Sequence, residues 1–109
     1  MCSNLPYLDV TDGLNRLGGN RTLYKRLLQS FMEKNNMSEL RENMQTCNAA
    51  AAAKSAHALK GVTANLSIAR LNKLIVSLEQ ELKMDNIPLE YLELLDEAFE
   101  GAAAEISQL

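Results

Sequence analysis

Hydrophobic residues recur along this chain at spacings of three and four positions, which is the period of an amphipathic α-helix. The clearest stretch carries Leu71, Leu74, Ile75, Leu78 and Leu82. The residues between these positions are mostly polar, and no segment of the chain shows the sustained apolar and polar alternation of a β-strand. The pattern therefore predicts an all-α domain.

The first predicted helix is short and covers Asp9 to Leu17. Asp9 or Thr11 would cap its N-terminus, because their side-chain oxygens can accept hydrogen bonds from the free N–H groups of the first turn. Gly18 and Gly19 end the helix, since glycine readily adopts the left-handed conformation that follows many helices.

The segment from Asn20 to Cys47 carries two apolar stripes that do not line up. Asn20 is a good N-cap for a helix. The apolar positions are Leu23, Leu27, Leu28 and Phe31, followed by Met37, Leu40, Met44 and Cys47. At 100° per residue the second stripe is displaced by about 80° from Leu27, and Asn36 with Glu39 could form a weak capping box at the break. We favour one long bent helix and keep two helices as the alternative.

Three further helices complete the prediction. Asn48 caps the first of them, which begins with a run of alanines, the strongest helix formers, and continues to about Asn65. The leucine-rich stripe described above marks the second, which Asp85, Asn86 and Pro88 terminate. Pro88 also fits the first turn of the last helix. The inward stripe of that helix is Leu92, Leu95, Phe99, Ala103 and Ile106.

Short connections between the four principal helices favour an antiparallel four-helix bundle, to which the short N-terminal helix is added. One domain would cover residues 1–109, since a chain of this length with 47% hydrophobic residues forms a single core. No stretch approaches the ~18 consecutive apolar residues of a membrane span, and the N-terminus lacks a basic start followed by an apolar run. We therefore expect a cytoplasmic monomer that does not bind membranes.

Charge is distributed unevenly along the chain. The formal net charge is −3, but residues 85–109 contain seven acidic residues and no Lys or Arg. The basic residues are scattered and form no stripe that would follow a phosphate backbone, so nucleic-acid binding is not expected. We interpret the acidic C-terminal stretch as the solvated face of a helix.

The two cysteines, Cys2 and Cys47, cannot build a disulfide framework, and with a single histidine they supply no metal-ligand cluster. Cys47 continues the stripe of Leu40 and Met44, which predicts a small core residue, whereas Cys2 belongs to the N-terminal tail. Met37 and Met44 are the methionines that best fit the core. No metal ion, cofactor or disulfide is expected in this chain.

His57 is the only histidine, and its face on the helix that starts after Asn48 decides what it can do. With Leu59 at the centre of the buried stripe, His57 lies about 160° away and points into solvent. The other members of the buried stripe are Ala52, Ala56, Val62, Thr63 and Leu66. The outer face around the histidine consists of Ala50, Ala53, Lys54, Gly61 and Ala64. Apart from the lysine these neighbours are small, which leaves the imidazole sterically open.

Lys60 lies three residues after His57, so its side chain can reach the same region and supply positive charge there. A nucleophilic imidazole beside a cation can accept a phosphoryl group, because phosphoryl transfer depends chiefly on positioning and charge stabilisation. The chain contains no G-x-x-x-x-G-K-[ST] loop or other recognisable nucleotide-binding motif. Phosphorylation directly from ATP is therefore not expected.

Two parts of the chain resemble a known family. The run Ala56–Gly61, followed by Ala64–Leu66, resembles the signature of histidine-containing phosphotransfer (HPt) domains. Upstream, the segment from Leu14 to Phe31 resembles the opening of the same family. The match covers about residues 9–83. Ser67 departs from it, because the family often has glycine after the Asn-Leu pair.

The resemblance implies a four-helix-bundle module of a two-component phosphorelay. His57 would be the phospho-accepting histidine, Lys60 would favour the phosphorylated state, and Gly61 would leave room beside the ring. Aspartates of response-regulator receiver domains, including that of a hybrid sensor histidine kinase, would give and take the phosphoryl group, and Mg²⁺ would belong to the receiver. The receiver would bind to the small outer face of Ala50, Ala53, Lys54 and Ala64.

Two other functions are weighed against this one. In the first, the chain is a helical interaction or scaffolding domain, His57 is incidental, and the Ala/Gly face serves helix packing. In the second, the chain is an enzyme acting on a small substrate. A single histidine, the absence of paired inward carboxylates and the lack of an evident pocket give that function little support.

Overall fold

The computed structural model describes residues 4–109. Cys2, which was assigned to the N-terminal tail, lies outside the described residues. Within this range the structure is helical and contains no β-strand, which confirms the all-α prediction. The helices are α1 Val10–Arg16, α2 Arg21–Glu33, α3 Met37–Gln45, α4 Ala49–Asn65, α5 Ala69–Lys83 and α6 Tyr91–Ile106.

Side-chain caps fix the starts of three helices at residues that the sequence predicted. Asp9, Asn20 and Asn48 each accept a hydrogen bond from a backbone N–H three residues later, at 3.0 to 3.1 Å. Each cap satisfies one of the N–H groups that the first turn of a helix leaves unpaired. Gly18 and Gly19 follow α1 with φ values of 64° and 82°, the left-handed conformation expected after a helix.

Residues 20–47 form two helices, so the favoured single bent helix is wrong and the alternative is confirmed. The side chain of Asn35 makes the break. Its Nδ2 donates to the carbonyl of Phe31 at 2.7 Å, and its Oδ1 accepts from the N–H of Met37 at 3.0 Å. One side-chain amide therefore ends α2 and starts α3. The predicted cap, Asn36, makes no side-chain capping bond.

Cys47 is exposed, so its predicted place in the core is wrong. It follows the last turn of α3 with a φ of 59°, and this left-handed conformation takes it out of the helical phase that Leu40 and Met44 establish. Leu40 and Met44 themselves are fully buried. Met37 is partly buried against the core.

The entry into α6 and its inward face differ from the prediction. Pro88 lies before the helix, whose N-cap is Glu90, and is therefore not in the first turn. Ala103 is only half-buried, because the inward face is rotated away from it. The buried residues of α6 are Leu95, Ala98, Ala102 and Ile106, with Leu92 and Phe99 packed at the edge of the core.

Helix α4 contacts both α3 and α5, and α6 contacts α5 and α2. The core between these helices is mostly aliphatic, and its most deeply buried members include Leu28, Leu40, Ile75 and Leu78. No helix among residues 4–109 is both long enough and apolar enough to cross a membrane.

A tight turn at Ser67 joins α4 to α5. Ser67 has a φ of 56°, in the left-handed region that favours glycine. Its hydroxyl donates a hydrogen bond to the carboxylate of Asp12, and its carbonyl accepts one from the N–H of Asp9 at 2.9 Å. These bonds to the start of α1 hold serine in a conformation that glycine would adopt more readily.

Candidate functional site

His57 lies on the outer surface of α4, as its helical phase predicted, and 69% of its side chain is exposed. The residues of the predicted outer face surround it: Ala50, Lys54 and Gly61 are exposed, and Ala53 and Ala64 are half-buried. The ring can therefore be approached from solvent over side chains that offer little steric obstruction.

Gly61 keeps the surface beside the histidine open. A Cβ built at this position would meet no heavy atom within 4 Å. The other two helical glycines differ, because Gly13 lies directly against the ring of Tyr24 and Gly101 against the ring of Tyr7. Packing explains those two glycines, whereas no neighbour requires glycine at position 61.

A buried carboxylate that the sequence reasoning missed lies next to the ring. Glu79, on α5, has a side chain only 4% exposed, and its Oε2 lies 2.9 Å from Nδ1 of His57. An ionised carboxylate can only accept a hydrogen bond, so Nδ1 carries the proton and donates it. The other nitrogen of the neutral ring, Nε2, then keeps its lone pair. Glu79 thus fixes the tautomer in which Nε2 is nucleophilic.

Two lysines complete the cluster around this carboxylate. Nζ of Lys60 lies 2.7 Å from Oε1 of Glu79, and Nζ of Lys83 lies 3.5 Å from Oε2. The Lys60 side chain is 35% exposed and that of Lys83 is 63% exposed. His57 and both lysines therefore share one carboxylate that is nearly closed to water.

Glu79 is ionised at neutral pH despite its burial. Burial by itself raises the pKa of this carboxyl, because a charged group loses hydration inside the protein. Hydrogen bonds from Lys60 and His57, together with the positive charges of Lys60 and Lys83, outweigh burial and hold the pKa of Glu79 below its usual value. The ionised carboxylate of Glu79, which accepts the hydrogen bond from Nδ1 of His57, is therefore the form of Glu79 present at neutral pH.

The position of Lys60 agrees with its predicted reach, but its charge is already engaged. The sequence spacing placed the lysine beside His57, where it would supply positive charge. In the structure its ammonium is paired with Oε1 of Glu79. An anion at the ring would therefore compete with Glu79 for the ammonium of Lys60.

The position of Glu79 within the apolar stripe of α5 could have identified it as a candidate site residue from the sequence. It follows Ile75 by four positions and precedes Leu82 by three, so it falls within the apolar stripe of its helix. A charged side chain at a buried helical position requires a partner. The partners, His57 and Lys60, lie on another helix, and the phase of α5 alone does not identify them.

An apolar groove lies between α2 and α4, and Ala58, the residue after His57, is part of its lining. Val62 was predicted to be buried, but it is 42% exposed, and Leu27 on the facing helix is 37% exposed. Val62 lies about 60° from Leu59, at the margin of the buried stripe, where the gap between the helices leaves it open. The groove has a volume of about 400 Å³, and its other apolar lining residues are Phe31, Ala58, Leu59 and Leu66.

Within residues 4–109, no three His, Cys, Asp or Glu side chains are grouped so that they could hold a metal ion. In comparisons with protein-family models, with curated proteins and with solved structures, nothing matched this chain. The groups that the described residues bring together at the site are an exposed imidazole, a buried carboxylate and two lysines.

Proposed function

We propose that the chain is a histidine phosphotransfer domain, in which His57 takes a phosphoryl group from an aspartate of one receiver domain and passes it to an aspartate of another. The observation that carries the proposal is the pairing of the largely exposed imidazole with the nearly buried carboxylate of Glu79. Burying a carboxylate is costly, so a buried glutamate beside an exposed ring is not expected by chance. A histidine that merely covers the surface does not need such a partner.

The architecture we propose for this function is an antiparallel four-helix bundle with α1 as an extra helix. In this bundle α2 and α3 together take the place of one interrupted helix, and α4, α5 and α6 are the other three helices. The contacts of α4 with α3 and α5, and of α6 with α5 and α2, support this arrangement. Because α4 and α5 are neighbouring helices of the bundle, Glu79 on α5 can orient His57 on α4.

In the transfer step, the Nε2 lone pair of His57 attacks the phosphorus of the donor's aspartyl phosphate. The P–N bond forms as the P–O bond to the aspartate breaks, and the aspartate leaves as a carboxylate. No proton has to leave Nε2, because the proton of the neutral ring is on Nδ1. The phosphorylated ring is positively charged, and its hydrogen bond from Nδ1 to Glu79 stabilises that charge. Transfer to the next receiver reverses these steps.

Lys60 and Gly61 have different roles in this scheme, charge stabilisation and steric access. The ammonium of Lys60 lies on the same carboxylate as the ring, so it can turn to a dianion at Nε2 and stabilise it. Gly61 adds no side-chain atoms to the face of α4 that carries the ring. Mg²⁺ belongs to the receiver in this scheme, and this chain supplies neither a cofactor nor a nucleotide site.

The receiver docks on the outer face of α4 and on the adjoining groove. The face contributes Ala50, Ala53, Lys54 and Ala64, and the groove adds the exposed apolar surface of Leu27 and Val62. A partner that buries about 800 Å² per side around the ring covers the small residues of this face, and the exposed apolar groove would extend the contact towards α2. The partner is a cytoplasmic receiver, free or part of a hybrid sensor kinase, and the chain acts as a monomer.

Chemical phosphorylation and transfer from a receiver together test the proposal. Wild type and His57→Gln are treated with phosphoramidate, a small phosphoryl donor, and separately with phosphorylated receiver domains. We expect an acid-labile phosphohistidine in the wild type and none in the variant, with unchanged helicity and melting of the variant. A wild type that neither donor labels, or a label that persists in His57→Gln, would overturn the proposal.

A helical interaction domain is the second candidate, and the apolar groove is the observation that favours it. In that case Leu27 and Val62 bind a structural partner and His57 carries no phosphoryl group in the cell. The movement of the phosphoryl group from labelled protein to a receiver aspartate distinguishes the two, because a structural domain would not give it up in a receiver-dependent manner.

A further inference from the structure

Three side chains approach the two carboxylate oxygens of Glu79. Oε1 accepts from Lys60, and Oε2 lies 2.9 Å from Nδ1 of His57 and forms an ion pair with Nζ of Lys83 at 3.5 Å. Lys83 comes from the same helix as Glu79, four residues later, at the spacing where helical side chains meet. The Lys83 side chain is 63% exposed, more than that of Lys60, so it is freer to move.

We infer that Lys83 is a reserve counter-ion, which takes over the Glu79 carboxylate when Lys60 turns to the phosphoryl group. The inference rests on the proposed phosphotransfer function. It makes Lys83 a positioning residue, because Lys83 acts through Glu79 and Lys60 and contacts none of the reacting atoms.

The burial of Glu79 creates the need for such a residue. When the Lys60 ammonium leaves for a dianion at Nε2, Oε1 loses its donor while only 4% of the Glu79 side chain is open to water. Nδ1 of the ring still donates to Oε2, but a buried charged oxygen that loses its donor is destabilising, so this cost opposes the movement of Lys60. Lys83 already lies at the neighbouring oxygen of the same carboxylate and can replace the lost donor.

The positions of the two lysines separate their roles. Lys60 is on α4 with His57, three residues away, where its side chain can follow a group bound to the ring. Lys83 is on α5, and its ammonium pairs with the carboxylate of Glu79. Removing Lys83 should therefore change the lifetime of the phosphohistidine only while Lys60 is present to be released.

A double-mutant cycle on the phosphorylated full chain tests this dependence. Lys60→Met, Lys83→Met and the double variant are labelled with phosphoramidate, and the phosphohistidine lifetime is measured at neutral pH. We expect each single variant to shorten the lifetime by at least about threefold, and the double variant to match Lys60→Met alone. Lys83→Arg should restore the wild-type lifetime because it keeps the charge. Lys73→Met, at another exposed lysine of α5, is the matched control.

The side-chain carboxyl of Glu79 provides a readout that a purely structural role would not move. Its ¹³C resonance is titrated before and after phosphorylation. We expect the pKa of Glu79 to remain low in the phosphorylated wild type, where Lys83 replaces Lys60. In phosphorylated Lys83→Met the pKa of Glu79 should rise, because the phosphorylated ring donates to Oε2 and no second lysine is left to pair with Oε1 when Lys60 turns away.

Three results would overturn parts of this scheme in different ways. Additive effects of the two lysine variants would place Lys83 on the phosphoryl group itself, and an unchanged lifetime in Lys83→Met would show that Lys60 needs no replacement. Either result overturns the inference and leaves the proposed function standing, provided the wild type carries phosphohistidine at His57. An unlabelled wild type overturns both.

Discussion

Nδ1 of His57 lies 2.9 Å from Oε2 of Glu79, although the two residues belong to different helices and only the histidine is exposed. Catalytic imidazoles are oriented in the same way when a buried acid fixes the ring tautomer and stabilises the charge that develops on the ring. The pairing makes the chemistry of a residue on α4 depend on a side chain of α5.

Replacing the carboxylate by an amide isolates the effect of its charge. Glu79→Gln keeps an oxygen that can accept from Nδ1 but removes the negative charge that stabilises the phosphorylated ring. We expect labelling of His57 by phosphoramidate to slow by about tenfold, while ¹⁵N NMR still finds the proton on Nδ1. Glu79→Leu should lose the tautomer preference as well. Equal labelling rates in Glu79→Gln and wild type would show that the charge is dispensable.

The lowered pKa of Glu79 predicts a contribution to stability that is lost in acid. In the unfolded chain this carboxyl takes up its proton near pH 4.5, whereas the folded carboxyl does so only at lower pH. The stabilisation is fully present above that value and disappears as the pH falls through the folded pKa, because the unfolded state binds the proton first. Urea unfolding near pH 7 and near pH 3.5 should show a smaller loss for Glu79→Gln than for wild type. Parallel losses would contradict the prediction.

Tyr24 should give the opposite dependence at high pH. Its hydroxyl donates to the carbonyl of Leu66 at 2.7 Å, and burial, with the charges of Asp9 and Asp12, raises its pKa from 10.0 to about 12. The stabilisation is present below pH 10 and is lost as the pH rises towards 12, because the unfolded phenol gives up its proton first. Tyr24→Phe should cost about 1–3 kcal/mol at neutral pH, since the carbonyl loses its donor. Unfolding measurements should also show a flatter profile above about pH 10 for the variant than for wild type.

Substitutions at Gly61 separate stability from access to the ring. Gly61→Ala should raise the free energy of unfolding by about 0.5–1 kcal/mol, because alanine is the better helix former and its Cβ meets no neighbour. Gly61→Gln should also fold, but its side chain leans back over the turn that carries His57 and should slow transfer to a receiver about tenfold.

Thermal unfolding and receiver-transfer assays check both Gly61 variants. Gly101→Ala is the matched control, because an added Cβ would fall on the ring of Tyr7 and should destabilise the protein. An unfolded Gly61→Gln variant would mean that this face of α4 is covered, and unaltered transfer would mean that steric access does not limit the reaction.

Acidic substitutions map the docking surface. Ala53→Glu, Ala64→Glu and Val62→Glu each place a charge in the surface proposed to meet the receiver, and we expect each to weaken receiver binding by about tenfold or more. Leu94→Glu, at a residue 43% exposed on α6, is a control of the same kind. Calorimetric titration with one receiver compares them. Unchanged affinity in all three variants would place the interface elsewhere.

Features that depend on neighbouring residues of one helix could be predicted from the sequence. Asp9, Asn20 and Asn48 cap helices through bonds to N–H groups three residues away, so their role follows from short spacing. The exposure of His57 follows from the phase of α4 alone. The open surface at Gly61 follows from the same phase.

Features that depend on a choice between equivalent partners, or on a second helix, could not be predicted. Asn35 and Asn36 are adjacent and chemically identical, and only the folded chain shows that Asn35 makes the bonds at the break. Cys47 continues a helical stripe in sequence, but its left-handed backbone places it outside the helix. Glu79 could be recognised as an acid in an apolar stripe, whereas its contact with His57 requires the pairing of α4 with α5.

The turn at Ser67 has a consequence for the order in which the chain folds. It joins α4 directly to α5, so His57 and Glu79, 22 residues apart, meet within one helical hairpin. Contacts at such short separation lose little loop-closure entropy and form quickly. During synthesis the hairpin emerges before α6, so the histidine can acquire its carboxylate partner on a nascent chain.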